Sequence, residues 1–168
     1  MRLDAMTREN AELVRRWRNI DIDMYRTPFM LTEEMQSDFY DDVICDRYAK
    51  HRFWAVMLAD VFIGMVGLVN ISLENRSAEV SVVIDPELRK QGHGRKAVDL
   101  LLGEGFYRIN LDNIYGECYK CSPARGFWES ACMERGVKIY ELPRRKYVSG
   151  IYWDSIYFNF TRTNTEGL

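Results

Sequence analysis

Between residues 82 and 97 the chain reads Val82-Val83-Ile84-Asp85-Pro86-Glu87-Leu88-Arg89-Lys90-Gln91-Gly92-His93-Gly94-Arg95-Lys96-Ala97. The β-branched run at the start of this stretch predicts a strand, and Asp85-Pro86 ends it. Two glycines and several basic residues follow, and then an apolar helix begins. The layout places unpaired backbone N–H groups and cations at a helix N-terminus, which suits a phosphate-bearing ligand.

The overall composition is that of a globular protein. The 168 residues are 47% hydrophobic and 29% charged, which is enough to bury one core. The net charge of −2 argues against stable nucleic-acid binding, so any anion site must be local. No apolar run is long enough to span a membrane, and the N-terminus has no signal-peptide pattern. We therefore expect a cytoplasmic protein with no membrane partner.

Cysteine spacing raises the question of redox or metal chemistry. Cys118 and Cys121 have the spacing of a redox motif or of half a zinc site. No second pair of cysteines accompanies them, and the chain has only two histidines, His51 and His93, so a tetrahedral zinc site lacks ligands. We expect free thiols and no metal, with a redox pair as the alternative.

Hydrophobic periodicity predicts the element order β-α-α-β-β-β-α-β-α-β-β. Thr7 and Thr32 are the predicted N-caps of the first two helices. The second helix is expected to be amphipathic, with an apolar face formed by Met35, Phe39, Val43 and Ile44. Ser122-Pro123 is expected to start the fourth helix, because proline is favoured at the first helical position.

The predicted strands belong to one mixed sheet. An antiparallel meander precedes the glycine loop, and segments 137–140 and 146–160 predict a final hairpin. We expect a single α/β (α+β) domain over residues 1–168, with a mainly antiparallel central sheet flanked by helices. The polar tail, about residues 161–168, is expected to fray.

The glycine loop allows a dinucleotide-binding interpretation and a purely structural one. Gly92-x-Gly94-x-x-Ala97 matches the spacing of a dinucleotide-binding fingerprint, but seven residues separate the strand from the first glycine, and an antiparallel meander precedes it. A phosphate-binding Walker loop is excluded because no Gly-Lys-Ser/Thr ending is present. A plain glycine-containing turn with solvated cations remains the simplest alternative.

Three segments carry a resemblance to a known family. Arg89-Lys90-Gln91-Gly92-His93-Gly94, preceded by Ile84-Asp85-Pro86, resembles the acyl-CoA site of the GNAT superfamily of N-acetyltransferases, whose signature is R/Q-x-x-G-x-G/A after a strand ending in x-Pro. Leu13–Asn19 and Gly150–Asp154 resemble the subgroup that contains ribosomal-protein N-terminal and amino-sugar-nucleotide acetyltransferases. The resemblance implies a GNAT-like fold whose central sheet is splayed at the cofactor site.

The resemblance also implies acetyl-CoA as the cofactor. Backbone N–H groups from Gln91 to Lys96 would bind its pyrophosphate, and Arg89 or Lys90 would add side-chain pairing. Backbone groups next to the gap would pair with pantetheine, and the Ile84 N–H would polarise the thioester carbonyl. The expected cofactor-binding residues are Val83, Ile84, Arg89, Lys90, Gln91, Gly92, His93, Gly94, Arg95, Lys96 and Cys121.

Acyl transfer to an amine needs a group that takes the amine proton. Glu117 is the first candidate base, because it lies on the strand predicted to line the gap. Glu79, near the start of the preceding strand, is the second candidate. An ordinary exposed or paired carboxylate is the alternative at either position.

The proton donor to the leaving thiolate is the open part of the predicted site. The family segment N-x-x-A/S-x-x-x-Y-E is replaced here, with Cys121 for Asn, Ala124 for Ser and Trp128 for Tyr. An indole N–H is no proton source at pH 7. Tyr119, Ser122 and Cys121 therefore remain as candidate acids, with water as the other possibility.

The acceptor is expected to bind between the first two helices and the terminal hairpin, as the resemblance implies. Aromatic side chains and the basic run Arg144-Arg145-Lys146 suit an amino sugar on a nucleotide diphosphate. A protein N-terminus is the rival acceptor, and plain core packing with a solvated edge is the third possibility. The candidate acceptor-binding residues are Tyr25, Phe29, Glu79, Tyr152 and Asp154.

The sequence thus predicts an acetyl-CoA-dependent N-acetyltransferase in which a primary amine attacks the thioester directly. We expect a monomer or a homodimer. A non-catalytic module that binds acyl-CoA or another phosphate ligand remains the alternative, because the usual acid positions hold Ala124 and Trp128.

Overall fold

The computed structural model describes residues 1–165, and within them the chain forms one seven-stranded sheet with helices on both faces. The strands are β1 (Arg2–Ala5), β2 (Arg52–Leu58), β3 (Val61–Ser72), β4 (Ser77–Ile84), β5 (Asn113–Tyr119), β6 (Ile139–Val148) and β7 (Ile151–Thr161). The α-helices are α1 (Arg8–Ile20), α2 (Glu33–Phe39), α3 (His93–Gly103) and α4 (Arg125–Glu134). Wider π-helical turns extend α2 over Tyr40–Ile44 and α3 over Glu104–Arg108.

The sheet has the order β1-β2-β3-β4-β5-β7-β6. Every neighbouring pair is antiparallel except β4 and β5, which run parallel. The predicted fold class and element order are both confirmed. The parallel pair sits at the centre of the sheet and joins an N-terminal meander to a C-terminal three-stranded half.

The two halves of the sheet are joined over a short distance. Ser77–Glu79 pair with Asn113–Tyr115, and the described pairing of β4 with β5 stops there. Beyond that point Val80–Ile84 and Gly116–Tyr119 have no strand pairing with each other, and we call this unpaired stretch the gap. This is the predicted splay, and it lies next to the glycine loop that follows Ile84.

The side-chain alternation of the strands creates two cores. On one face α3 and α4 pack against the sheet, with fully buried Leu101, Phe106, Ile114 and Phe158. On the other face α1 packs through Ala11 and Val14 against a smaller cluster. Glu79 and Glu117 alternate onto this second face, so they lie on the side of the sheet opposite α3 and α4.

Local capping explains where the first two helices begin. The Thr7 side chain accepts a hydrogen bond from the Asn10 N–H at 3.2 Å, and Thr32 does the same for the Met35 N–H at 3.2 Å. Each such cap contributes about 1 kcal/mol of helix stability. Both predicted N-caps are confirmed.

The second helix follows the predicted apolar face except at its start. Phe39 packs edge-on against Phe53 with ring centres 5.3 Å apart, and Ile44 packs against the smaller cluster under α1. Met35 is 47% exposed, whereas the neighbouring Gln36 is buried. The pattern assumed one regular helix over the whole segment, but a π-helical turn over Tyr40–Ile44 changes the period between Met35 and Ile44.

Two other predicted boundaries were wrong. The hairpin turn lies at Ser149 and Gly150, whose φ angles are +49° and +85°. Strand β6 therefore continues through residues 141–145, where the pattern had predicted the turn. A bulge between Leu142 and Lys146 hides the alternation there. Helix α4 starts at Arg125, because Ser122 uses its Oγ to cap the Ala124 N–H at 3.2 Å within a preceding turn.

The beginning of the predicted fraying tail is ordered. Thr161 ends β7, Arg162–Asn164 form a 3₁₀ turn, and the Thr161 N–H donates to the Asn164 side chain at 2.8 Å. Thr165 is buried and donates its hydroxyl to the Thr161 carbonyl at 3.0 Å. Residues 166–168 of the expected tail lie outside the described residues. No helix in the described part of the chain is both long and apolar enough to cross a membrane.

Candidate active site

The glycine loop connects β4 to α3 through a short 3₁₀ turn over Pro86–Leu88. Gly92 is the N-cap of α3 with a φ of +81°, a conformation that costs a non-glycine residue about 1–2 kcal/mol. The first helical hydrogen bond runs from the Lys96 N–H to the Gly92 carbonyl at 3.3 Å. The N–H groups of the preceding residues therefore point out of the helix end.

The basic residues of the loop have different roles. The Arg89 guanidinium donates to Asp21 Oδ2 at 2.6 Å and to the Ile84 carbonyl at 3.3 Å, which ties the loop to the end of α1. Arg95 donates to Glu134 Oε1 at 2.8 Å, on α4. Lys90 and Lys96 are exposed on the loop, as is Gln91. Lys90 and Lys96 are therefore better placed than Arg89 or Arg95 to meet an incoming anion.

Strand register determines which backbone groups face the gap. The Asp85 N–H donates to the Ile63 carbonyl at 3.0 Å. Since hydrogen-bonded and non-hydrogen-bonded pairs alternate along antiparallel strands, Met65 and Val83 form the next hydrogen-bonded pair. Gly64 and Ile84, which lie between, form a non-hydrogen-bonded pair. The Ile84 N–H consequently points away from β3 and into the gap. Val83 was expected to share this role, but the same alternation directs its backbone groups to β3.

The residue that this register adds to the candidate site is Val82. Its backbone has the same direction as that of Ile84, two positions along the strand. The sequence analysis missed it because the strand's partner, and therefore its hydrogen-bonding edge, could not be known. The alternation itself is visible once the pairing with β3 is fixed.

The residues present fit acetyl-CoA. The loop offers outward N–H groups and exposed cations for a pyrophosphate, and a side-chain Cβ at Gly92 would meet no atom within 4 Å, so the approach to its backbone is open. The gap between β4 and β5 starts directly before this loop and exposes the strand edge of Ile84. An extended chain can pair with that edge as a short added strand.

A pair of acidic side chains lies at the top of the gap, on the face of the sheet opposite α3. Glu79 is the last residue of β4 that pairs with β5, and Glu117 lies two residues beyond the end of that pairing on β5. The side chains of Glu79 and Glu117 are only 8% and 12% exposed. We call these two residues the carboxylate pair.

Arg26 connects the two members of the carboxylate pair. Its Nη1 donates to Glu79 Oε2 at 3.1 Å, its Nη2 donates to Glu79 Oε1, and the same Nη2 lies 3.8 Å from Glu117 Oε2. Burial alone would lower the pKa of Arg26, but the charge and hydrogen bonds of Glu79 raise it above its ordinary value. Arg26 lies in the segment between the first two helices that was expected to border the acceptor, but it was not expected as the partner of Glu79.

Glu117 has two further partners. Arg145 donates from Nε to its Oε1 at 2.9 Å, and the Ser155 hydroxyl donates to the same oxygen at 2.6 Å. Burial would raise the pKa of Glu117, but the hydrogen bonds from Arg145 and Ser155 outweigh it and hold that pKa below its ordinary value. The carboxylate is therefore ionised at neutral pH and is a weak base in this arrangement.

Tyr119 and Lys146 close one side of the carboxylate pair. Lys146 is buried and donates from Nζ to the Tyr25 carbonyl at 2.6 Å, and the same nitrogen lies 5.1 Å from the centre of the Tyr119 ring. Burial raises the pKa of the Tyr119 phenol, so it stays protonated at neutral pH. Tyr119 lies two residues after Glu117 on β5 and therefore shares its sheet face.

The basic residues before the hairpin each have a partner within the protein. Arg144 stacks on the Tyr152 ring at 4.2 Å, Arg145 is bound to Glu117, and Lys146 is buried and bound to the Tyr25 carbonyl. These contacts speak against one cluster of cations that pairs with a nucleotide diphosphate. The sequence does not show the ring, carboxylate and carbonyl groups that these cations meet.

Three of the predicted acceptor residues, Phe29, Tyr152 and Asp154, have no described contact with the carboxylate pair. Phe29 and Tyr152 are 52% exposed, in the 21–31 segment and near the hairpin turn. Asp154 accepts the Arg144 N–H at 3.0 Å and so holds the bulge of β6 in shape. Tyr25 is half-buried, and burial raises the pKa of its phenol.

The α4 side of the gap carries the positions where the family has its contact and acid residues. Trp128 stacks on Phe158 with ring centres 4.9 Å apart, so it belongs to the core beneath the sheet. Ser122 is buried, and Cys121 lies half-buried in the turn between β5 and α4. Ser122 already accepts one hydrogen bond through its Oγ, from the Ala124 N–H.

The cysteines are free thiols in the structure. Burial raises the pKa of Cys118 to about 11, and that of Cys132 also to about 11. A redox nucleophile needs a lowered pKa, so Cys118 is a poor candidate for the redox alternative. Residues 1–165 contain no group of three or more His, Cys, Asp or Glu side chains placed to hold a metal ion.

The two outlying motifs build the walls of the site. Asn19 donates from Nδ2 to the Leu31 carbonyl and accepts the Leu31 N–H, both at 2.8 Å, and Arg15 donates to the same carbonyl at 2.9 Å. These bonds fasten the end of the 21–31 segment to α1. Gly150 forms the hairpin turn. Arg15 and Asn19 bind backbone groups and Gly150 forms a turn, and none of the three has a described contact with the carboxylate pair. These motif residues therefore do not specify the acceptor.

Comparison with known proteins gives one family and one kind of relative. A sequence model described as "Acetyltransferase (GNAT) domain" matches residues 1–122. The spermidine N(1)-acetyltransferase of Vibrio cholerae is 32% identical over 98 residues, a match that covers 58% of this chain and 56% of that relative. The aligned part thus spans about half the length of the curated relative. The relative is a spermidine acetyltransferase, whereas the outlying motifs had suggested the ribosomal-protein or amino-sugar subgroup.

Solved structures similar to this fold come from the same enzyme. A point-mutant form of the Vibrio cholerae spermidine N-acetyltransferase has a TM-score of 0.84 and 22% identity, covering 99% of this chain and 98% of that one. The complex of that enzyme with CoA and spermine also has a TM-score of 0.84, with 22% identity and coverage of 97% and 96%. A dodecameric structure in an intermediate state has a TM-score of 0.81, with 23% identity and coverage of 98% and 95%. At these identities the likeness establishes the fold.

Proposed function

The chain belongs to the GNAT acetyltransferase family, and we propose that it transfers the acetyl group of acetyl-CoA to a primary amine of a polyamine. The family supplies the N-acetyltransferase reaction and its cofactor. The carboxylate pair is the observation that carries the choice of acceptor. Glu79 and Glu117 are nearly buried beside the gap, and each is held by an arginine. A cationic substrate can take the place of such an arginine on the carboxylates, whereas a phosphate-bearing one cannot.

Acetyl-CoA supplies an acetyl group activated as a thioester. The chain's own contribution begins with the loop, whose outward N–H groups before Lys96 and exposed Lys90 would hold the pyrophosphate. The Ile84 N–H, directed into the gap by the strand register, would donate to the thioester carbonyl. Because these donors belong to a strand and a helix end, they are fixed before the cofactor arrives.

The acceptor side works from the other face of the sheet. Glu117 and Glu79 would hold the ammonium groups of the acceptor and place one neutral amine at the gap. Glu117 remains our first candidate for taking the amine proton, directly or through water, because it lies on the strand that borders the opening. Displacing Arg145 or Arg26 from Glu117 would remove the partners that lower its pKa and make it a stronger base.

The proton donor to the leaving thiolate stays open among Tyr119, Ser122, Cys121 and water. The phenol of Tyr119 is protonated at neutral pH and lies on the same face as Glu117. Ser122 lies in the turn before α4, and its hydroxyl, which accepts the Ala124 N–H, keeps its own proton. We place Tyr119 first, because a phenol is a stronger acid than an aliphatic hydroxyl and because Tyr119 shares the face of Glu117.

Release of free thiol from acetyl-CoA tests the proposal. We expect release with spermidine, spermine and putrescine, and none above background with an amino sugar nucleotide or a peptide with a free N-terminus. Mass spectrometry should find one added acetyl group on the polyamine. Turnover of the sugar or the peptide, with no turnover of polyamines, would contradict the proposed acceptor.

A non-catalytic acyl-CoA-binding module is the second candidate. It is favoured by one observation, which is that Trp128 packs into the core where the family has its tyrosine acid. Normal CoA binding in calorimetry, together with no thiol release for any amine, would select this candidate.

A further inference from the structure

The carboxylate pair is electrically neutralised before any substrate arrives. Glu79 is held by Arg26, and Glu117 is held by Arg145 at 2.9 Å with Arg26 at 3.8 Å. The two carboxylates and the two guanidinium groups sum to no net charge. Asn70 Nδ2 donates to Glu79 Oε2 at 3.3 Å and Ser155 donates to Glu117, so both carboxylates also have neutral donors that can remain.

A cationic acceptor cannot simply be added to this arrangement. Bringing an ammonium group against a neutral cluster with two arginines places like charges together in a site shielded from water, which is unfavourable. One guanidinium must leave for the acceptor to gain an ion pair. The acceptor therefore competes with a side chain of the protein for the same carboxylates.

Arg26 is the guanidinium that can leave. The side chains of Arg26 and Arg145 are 52% and 51% exposed, so both guanidinium groups reach water and exposure does not distinguish them. Their backbones do, because Arg26 comes from the irregular segment between α1 and α2, whereas Arg145 lies on strand β6. Arg26 also contacts both carboxylates. Arg145 contacts only Glu117, and the neighbouring Lys146 anchors it through a buried hydrogen bond to the Tyr25 carbonyl.

We propose that Arg26 is a specificity-determining residue, a built-in cation that occupies the carboxylate pair until a polycationic acceptor displaces it. This inference rests on the proposed polyamine function. An amine that reacts must be neutral at its attacking nitrogen, so a monoamine brings no charge with which to replace Arg26. A polyamine brings at least one ammonium group besides its reacting amine, and that group takes the place of the guanidinium.

The experiment compares Arg26→Gln with the wild type, using Arg26→Lys as the conservative variant and Arg47→Gln as a matched loss of an exposed charge. We expect Arg26→Gln to lower the KM for spermidine about tenfold and to change kcat less than threefold. The KM for butylamine, which has one amine, should change less than twofold. Arg26→Lys and Arg47→Gln should both stay near the wild-type KM.

A second measurement distinguishes a competition between Arg26 and the acceptor from a purely structural role of Arg26 in its segment. Methylguanidinium should inhibit Arg26→Gln competitively against spermidine at a concentration several times lower than it inhibits the wild type, because the variant leaves its site vacant. A merely structural role would raise KM for every amine in Arg26→Gln and would give methylguanidinium no preference for the variant. An unchanged or raised KM for spermidine overturns the proposal.

Failure of the proposed function would be visible separately. Calorimetry of the wild type with spermidine, alongside thiol release, shows whether polyamines are bound and acetylated at all. If neither occurs, the polyamine function fails and this inference fails with it. If the wild type acetylates spermidine and Arg26→Gln has the same KM, only the role of Arg26 is overturned.

Discussion

Gly92 contributes to the cofactor site through its backbone conformation. Its φ of +81° turns the chain so that the N–H groups of the first turn of α3 face outward, and a Cβ there would meet no atom within 4 Å. Gly92→Val should therefore strain the loop by about 1–2 kcal/mol without a clash in the core. We expect calorimetry to find CoA affinity abolished while the circular dichroism spectrum is unchanged.

Gly136→Val is the matched control for that variant. Gly136 also has a positive φ, +61°, and also has open space at its Cβ position, but it follows the end of α4. The same strain placed there should leave CoA binding intact. Wild-type CoA affinity in Gly92→Val would remove the loop from the cofactor site.

Substitution of Glu117 tests the part of the mechanism that concerns the acceptor amine. Glu117→Gln should lower kcat by about 10²-fold or more, as removal of a general base does, and leave CoA affinity unchanged. Because Arg145 and Ser155 hold the pKa of Glu117 below its usual value, the carboxylate is ionised throughout pH 6–9. The ratio of wild-type to variant rates should thus be constant over that range, and the advantage of the wild type should fall only as pH drops through the lowered pKa.

The control for this variant is Glu129→Gln, which removes an exposed carboxylate that pairs with Arg125 on α4. It should keep the wild-type rate. Wild-type rates for Glu117→Gln at every pH from 6 to 9 would disqualify Glu117 as the base.

Single residues show why the acceptor site could be predicted only in part. Glu79 and Glu117 were visible as candidates, because each lies on a predicted strand, and Arg26 lies in the segment expected to border the acceptor. Their pairing was not visible, because Arg26 and Glu79 are 53 positions apart. Long-range ion pairs depend on which strands are neighbours, and no local pattern encodes that.

At the scale of elements, β3 and β4 set the position of the reacting groups. Gly64 lies opposite Ile84, and a Cβ at Gly64 would lie 2.5 Å from the Val83 carbonyl oxygen and 2.7 Å from Ile84 Cδ1. Since the first of these contacts is backbone, β4 itself would have to move. We expect Gly64→Ala to destabilise the fold by about 1–3 kcal/mol and to weaken CoA binding at least tenfold.

Gly103→Ala provides the comparison for Gly64→Ala. Gly103 lies at the end of α3, where a Cβ would meet no atom within 4 Å, so alanine there should raise stability by about 0.5–1 kcal/mol. Chemical denaturation and CoA calorimetry on both variants separate the effects. Unchanged CoA affinity in Gly64→Ala would mean that the exact position of β4 does not matter for the cofactor.

Elements also show what local sequence signals can and cannot predict. Thr7 and Thr32 were found as N-caps because a cap acts within four residues. The turn at Ser149 and Gly150 was missed, since the bulge between Leu142 and Lys146 interrupts the alternation that identifies a strand. Met35 was misplaced on the inward face of α2, because the pattern assumed a single helical period and a π-helical turn changes it. Irregularities of this kind are stabilised by tertiary partners.

The whole molecule consists of two half-sheets joined by a short parallel contact. Only Ser77–Glu79 and Asn113–Tyr115 connect them within the described sheet, and the candidate catalytic groups stand on both sides of the opening. The described site is formed by residues of one chain. The expectation that the protein is a monomer or a homodimer stays a prediction.

This arrangement predicts that the cofactor acts as a structural bridge. A pantetheine chain placed between β4 and β5 would pair with the free edge of β4 and close the opening, so cofactor binding should stabilise the whole sheet. At a hundredfold excess over Kd the gain is about 2.7 kcal/mol, which corresponds to a rise in Tm of about 5–10 °C for a protein of this size.

Hydrogen exchange can locate that stabilisation. With saturating CoA, protection should increase in Val80–Ile84 and Gly116–Tyr119 as well as in the loop over 89–96, because strand edges that were open gain partners. β1 and β6, at the two outer edges of the sheet, serve as internal references and should change little. Protection confined to the loop would mean that the cofactor is held by its pyrophosphate alone, and the Ile84 N–H would then lie too far from the thioester to act on it.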